Sequence, residues 1–289
     1  ETPVAKDEDF IKTFKGIDIC VLNEDIHDFV FDLNIVLQMA KFLPPSNFLR
    51  HRAQVALEQV FADIVQYPAH YEMDYVEASV VKCLAHLKPL LEHAPSETTR
   101  GFIGLIGNSH MDTAWLWPVS ETIRKCARTY SNVVKLMEQY PEYKFIQSSA
   151  LHLEWMKTYY PALYEKMKKY VAEGRYEPNG GVFVECDCNI TSGELMARQF
   201  MYGQHFPRDE FGYSSDSFWL PDTFGYNGAI PQIMKESDVK YFYTTKMSWN
   251  DLNEFPFTSF KWKGIDGSTV LTHLNAIDTT PDIKDTQRQ

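Results

Sequence analysis

From Phe102 onward the chain repeats one pattern: a short apolar or alternating run, then a helical stretch with one apolar side. Parallel strands need a crossover between them, usually a helix. This alternation therefore restricts the fold to a parallel α/β layer or barrel. The first run, "FIGLIG" (102–107), is continuously apolar, as in a strand buried on both faces. The helix predicted after it carries Ile123, Cys126, Ala127, Tyr130, Val133, Val134 and Met137 on one side and ends before Pro141. "YKFIQSS" (143–149) is again strand-like, and a helix is predicted over about 152–173. "GGVFVECD" (180–187) alternates, and Thr191-Ser192-Gly193-Glu194 fits a capping box that opens the next helix. "SFWLPD" (217–222), "KYFYTTK" (240–246) and "TVLTHL" (269–274) supply later strands, with a short helix near 229–236.

The first third differs. Ile26, Phe29, Val30, Leu33, Leu37 and Ala40 recur at three- and four-residue steps until Pro44-Pro45 ends the run. Leu49, Ala53, Ala56, Leu57, Val60, Phe61 and Ile64 mark a second helix, and Val76, Val80, Cys83, Leu84 and Leu87 a third. His27, His51, His70, His86 and His93 lie in or beside these helices without a shared H-x-x-x-H face. "HAPSETTR" (93–100) reads as a linker, so a helical segment over 1–98 precedes an α/β domain over 99–289.

A length of 289 residues suits one large α/β domain with a helical appendage, and the net charge of −11 argues against nucleic-acid and anionic-membrane partners. No apolar run approaches the roughly 20 residues that cross a bilayer, so a soluble protein is expected. The five scattered cysteines, among them a C-x-C at Cys186 and Cys188, complete no zinc knuckle and read as reduced thiols of a cytoplasmic protein. No signal peptide is visible. The chain begins at Glu1 and stops at "DTQRQ" without a closing element, as an excised piece would.

In parallel α/β folds reactive groups gather where strands end and helices begin. Three such junctions carry acids or histidine. In "GNSHMD", His110 and Asp112 point to one side of an extended backbone, suited either to a zinc-like cation or to a histidine oriented by its neighbouring acid. In "VFVECDCN", alternation sends Phe183, Glu185 and Asp187 to one face. Two buried carboxylates there would need a cation, a basic partner or a shared proton, whereas an exposed strand end would need none. In "SFWLPDTFGYN" (217–227), Asp222 stands among Phe218, Trp219, Phe224 and Tyr226, either capping the next helix or walling a site. Strand ends of one sheet converge on one mouth, so His110, Asp112, Asp187 and Asp222 could share a site. Trp115 and Trp117 lie just beyond the H-x-D pair, and an aromatic plane beside carboxylates is a frequent sugar-binding device.

The chain resembles glycoside hydrolase family 38, the class II α-mannosidases, from about Phe102 to His273. The resemblance is carried by "GNSHMDTAWLWP", "GGVFVECDCNITSGE", "RQF-YGQ" (198–204) and "WLPDTFGYN" in the family's order and spacing, and it is closest to the bacterial and cytosolic branch. It implies a parallel, seven-stranded-type β/α barrel after an N-terminal helical segment. It implies one zinc ion, replaceable by cobalt, on His110, Asp112 and Asp222, with Asp222 also the nucleophile of a retaining hydrolysis of terminal α-mannosyl residues. Trp115 and Phe224 match positions that line the sugar pocket, and Asp187 is expected to reach the substrate. Lys246 falls near a basic position of the family. A mannose-containing oligosaccharide is the implied partner and a homo-oligomer the implied assembly.

The family's fourth ligand, a histidine, and its general acid/base come from later segments, expected beyond Gln289. Among nearby acids Asp187, Glu185 and Asp278, none matches that acid, and His273 receives no ligand role. The chain as given is therefore expected to lack catalytic competence and to bind metal weakly or not at all. Two other readings stay open. A metal-dependent polysaccharide deacetylase would need an H-x-x-x-H pair, and His205 has no partner at that spacing. His110, Asp112 and Asp222 together count against a non-catalytic carbohydrate-binding or assembly module for the parent protein, though not for the fragment.

Overall fold

The computed structural model describes residues 19, 21–92, 104–250, 252–253 and 255–275. Asp278, Cys20, His93 and the linker stretch 93–100 lie outside them. The chain divides into two compact units between residues 100 and 101.

The described residues of the first unit form three α-helices, α1 (Glu24–Phe42), α2 (Phe48–Asp63) and α3 (Met73–Leu91). Asn23 and Asn47 cap the first two by accepting the N–H of Ile26 and Leu49. Phe29, Val36, Ala53, Val60, Val80, Cys83 and Leu87 make the core. The apolar periodicity overcounts in α1 and α2: Val30, Leu37 and Phe61 face outward. His86 pairs with Asp63 at 2.8 Å.

In the second unit, helices α4 (Val119–Gln139), α5 (Ala150–Tyr159), α6 (Pro161–Ala172), α7 (Gly193–Phe211) and α8 (Ile230–Glu236) alternate with the first five of the seven described strands. These are β1 (Gly107–Asn108), β2 (Phe145–Ser149), β3 (Tyr176–Val182), β4 (Ser217–Trp219), β5 (Tyr241–Thr244), β6 (Ser259–Lys263) and β7 (Thr269–Leu274). The stretch predicted as one helix over 152–173 is two, because Pro161 lacks an N–H to continue α5 and instead opens α6. The α7 cap falls one residue later than the box over 191–194 predicts: Ser192, not Thr191, accepts the Leu195 N–H, and Leu195 rather than Glu194 stands at the third helical position.

The described strands do not form the expected barrel. They form two sheets, ordered β1-β2-β3 and β4-β5-β7-β6. A closed barrel has no edges, whereas here each sheet keeps two. Between β3 and β4 the backbones come close without a ladder, and a Cβ on Gly181 would stand 2.5 Å from the Ser217 carbonyl oxygen. The side chain of Asn179 takes the place of ladder bonds, accepting the Ser217 N–H at 3.3 Å and donating to Asp216 at 3.2 Å. At the far edge β6 runs antiparallel to β7, a hairpin in place of another crossover. Its Phe-Lys-Trp-Lys alternation, half-buried against exposed, is the period-two signal of a half-buried strand.

Two further corrections concern strand extents. Of "FIGLIG", residues 102–103 lie outside the described part, and Leu105 and Ile106 are 72% and 54% exposed rather than buried. Only Gly107 enters β1, an edge strand that pairs with β2 through two residues. The alternation read over 180–187 stops at Val182. Beyond it the Phe183 N–H binds the Gln199 carbonyl on α7, Val184 binds the Gln199 side chain, and Glu185 binds Ser149 Oγ. Side-chain and helix partners thus replace the ladder that period-two alternation presupposes.

Helices α4, α5 and α6 bury Cys126, Tyr130, Met137, Leu153, Met156 and Met167 with Phe145 and Tyr176 of the first sheet. Val182, Phe200, Phe218, Ile230, Met234 and Phe242 form a second cluster around the other sheet.

Candidate active site

Loops leave the C-terminal ends of β1, β3, β4 and β5, and each brings a candidate side chain, whereas β2 runs directly into α5. After β1, Met111 turns into the core while His110 and Asp112 face the other way. Asn108 braces this exit by donating to the Ile146 carbonyl, and Thr122 of α4 donates to that of Asp112. Thr113 meets the buried His152 at 2.9 Å, and the other ring nitrogen of His152 meets Tyr130 at 3.2 Å. Burial, then repulsion from His110, lowers the His152 pKa to about 3, so this histidine stays neutral.

After β4 the loop presents Asp222. One ligand atom each from His110, Asp112 and Asp222 lies within 4.8 Å of the others. His110 Nε2 stands 3.4 Å from Asp112 Oδ1 and 3.4 Å from Asp222 Oδ2. Those separations are long for hydrogen bonds. Zinc bonds of about 2.0–2.1 Å in tetrahedral array put neighbouring ligand atoms about 3.4 Å apart. One imidazole nitrogen and two carboxylate oxygens so spaced are a donor set that fits such an ion.

His110 Nδ1 meets Glu185 Oε2 at 2.5 Å. Burial alone would disfavour the imidazolium. The bond to Glu185 and the charges of Glu185, Asp222 and Asp112 outweigh it, raising the His110 pKa to about 9. The local field is thus one that attracts cations.

After β5, Lys246 reaches the second oxygen, Oδ1, of Asp222. Its ammonium lies over the rings of Trp249 and Phe224, at 3.4 Å and 4.1 Å from their centroids. The two rings cover a lysine whose side chain is only 7% exposed. Phe224 and Lys246 also line a cleft of about 800 Å³ with Tyr226, Trp249, Phe255 and Trp262. His110, Asp112 and Asp222 do not line it, so the cleft adjoins the acidic cluster rather than containing it.

Residues 101–289 match the family model described as the glycosyl hydrolases family 38 N-terminal domain. The chain belongs to glycosyl hydrolase family 38. The human protein named Alpha-mannosidase 2C1 is 40% identical over 270 residues, which are 93% of this chain and 25% of that protein. A Saccharomyces cerevisiae protein named Alpha-mannosidase is 47% identical over 170 residues, 58% of this chain and 16% of its own. The crystal structure of an alpha-mannosidase from Enterococcus faecalis V583 matches with a TM-score of 0.51 at 23% identity, covering 59% of this chain and 20% of that one. The chain thus spans a quarter or less of the length of these relatives.

Of the residues singled out from sequence, His110, Asp112 and Asp222 come together in this family 38 chain. Asp187 does not join them: it is exposed, and its Oδ1 accepts the N–H groups of Asn189 and Ile190 within its own loop. Trp115 is 65% exposed and sits edge-on to Trp117. Phe224 is exposed too, but it rests on Lys246. His205 lies on the exposed side of α7, and His273 on β7 meets Ser259. From sequence Glu185 reads as an acid of an alternating run that, if buried, needs a cation, a basic partner or a shared proton, with no partner named. Its contact with His110, 75 residues away in the chain, is a tertiary fact.

Proposed function

We propose that the whole protein is a zinc-dependent, retaining α-mannosidase that removes terminal α-mannosyl residues from oligosaccharides, with Asp222 as its nucleophile. The observation that carries this reading is the convergence of His110 Nε2, Asp112 and Asp222 at two strand ends, in a chain whose relatives are named alpha-mannosidases. Because the chain spans only part of those relatives, the reaction is proposed for the full-length protein.

In this reading His110, Asp112 and Asp222 hold the zinc ion. The chemistry it supplies there is Lewis-acid polarisation of sugar hydroxyls and stabilisation of transition-state charge. Asp222 attacks the anomeric carbon as the glycosidic bond breaks and the leaving oxygen takes a proton from an acid elsewhere in the full-length protein. Water later hydrolyses the covalent glycosyl-enzyme with net retention. The bond from Lys246 to Asp222 Oδ1 limits rotation of the carboxylate, so it meets the sugar in one orientation. Phe224 and Trp115 offer exposed ring faces on which a sugar can stack. The free, buried Cys83, Cys126, Cys186 and Cys188 suit a cytoplasmic, reducing setting.

The test is bound zinc and aryl α-mannoside hydrolysis by the full-length protein, wild type and Asp222→Ala. Stoichiometric zinc in the wild type and a loss on the order of a thousandfold or more in the variant are expected. Activity without metal, or a variant that keeps most of its rate, overturns the assignment.

A further inference from the structure

We propose that Glu185 is the positioning residue of this site. Its carboxylate takes the Nδ1–H of His110, so that a cation entering between Asp112 and Asp222 displaces the proton on Nε2 and finds the lone pair there. The inference rests on the metal-site reading above and adds to it a residue that makes no contact with the ion or the sugar.

Neutral imidazole carries its proton on one nitrogen and its lone pair on the other. A histidine facing two carboxylates through Nε2 is drawn to put the proton there, where it is useless for holding a cation. An acceptor on Nδ1 reverses that preference. Glu185 is placed for it, at 2.5 Å from Nδ1 and with a side chain only 5% exposed. Water therefore competes weakly for the carboxylate.

Glu185 is itself held from two directions. Ser148 donates to Oε1, leaving Oε2 to His110. The Glu185 backbone N–H binds Ser149 Oγ at 3.2 Å, which anchors the start of the side chain. Both serines are buried at the end of β2, where the ladder to β3 shifts register between Gln147 and Ser149. That irregularity lets consecutive serines serve one residue. Gly180 packs against the backbone of Ser148 so closely that a Cβ would stand 1.6 Å from its carbonyl oxygen, so Ser148 has little freedom to move. The chain Ser148 to Glu185 to His110 thus ties the ends of β2 and β3 to the loop after β1.

The experiment uses the full-length protein, wild type, Glu185→Gln and Ser148→Ala. Zinc affinity is read by chelator competition, and the visible spectrum is recorded after replacement by cobalt. Glu185→Gln is expected to weaken zinc binding by about 10- to 100-fold and to shift the cobalt bands, with an unchanged far-UV circular dichroism spectrum. Ser148→Ala, which leaves the carboxylate in place but frees it to rotate, is expected to fall between the two. If Glu185→Gln fails to fold, Ser148→Ala decides alone. Unchanged zinc affinity and cobalt bands in a folded variant overturn the role of Glu185 while leaving the metal site standing. A wild type that binds neither ion overturns both.

Discussion

At the residue scale, Asp222 is defined by what occupies its two oxygens. Oδ2 faces His110 and Oδ1 accepts from Lys246, whose ammonium is closed in by Phe224 and Trp249. Replacing Lys246 by methionine keeps the packing but removes the donor. A hydrogen bond to a charged group contributes about 1.5–3 kcal/mol, and Asp222 is partly solvated. A loss of about 2 kcal/mol is therefore expected in urea unfolding, with Lys246→Arg recovering most of it. From sequence alone Asp222 reads equally as a helix cap. The structure separates it from that role: α8 begins at Ile230, and Asn227, not Asp222, accepts the N–H of Ala229 before it. Asp187 went the other way, because its carboxylate accepts the N–H groups of Asn189 and Ile190 in its own loop.

At the scale of elements, glycines set how closely the layers approach. Gly203 of α7 faces β3 with no room for a side chain, since a Cβ would lie 2.3 Å from the Val182 Cα. Gly193, at the start of the same helix, has nothing within 4 Å. Gly203→Ala is thus expected to destabilise by about 1–3 kcal/mol through overpacking. Gly193→Ala should stabilise by about 0.4–1 kcal/mol by restricting the unfolded chain. Denaturant midpoints of the two single variants give opposite signs if this is right. The outer helices are also joined by charge. Glu210 of α7 accepts from Lys157 of α5 and from Tyr164 of α6. Burial pushes its carboxyl up, but these two donors outweigh burial and hold it below the usual value. A depressed folded pKa gives stability that is present above the unfolded value of 4.5 and lost as pH falls through the folded one. The stability gap between wild type and Glu210→Gln should therefore be widest near neutrality and shrink in acid, as read from urea midpoints at pH 7 and pH 3. Strand and helix alternation made these elements visible in sequence, α4 and α7 most clearly. It missed the break at Pro161, which looks like a helix interior until its missing N–H is counted.

At the scale of the whole molecule, ligand and stability are linked. A cation that binds the folded His110, Asp112 and Asp222 set and not the unfolded chain raises unfolding free energy by about 2.7 kcal/mol at a hundredfold excess over Kd. Zinc should accordingly raise the melting temperature of the full-length protein, EDTA should reverse this, and His110→Ala should show neither effect. The sequence by itself determined the helical first unit, the alternation of the second, and the side to which His110 and Asp112 turn once Met111 enters the core. Each of these is local, written in periods of 3.6 or 2 residues. Only the tertiary structure decided that the strands part into two sheets at Asn179 and Gly181, that Glu185 meets His110, and that Lys246 closes on Asp222. Those outcomes depend on where separate strands end relative to one another. Backbone approach and side-chain partners from distant segments set that relation, and no periodicity records it.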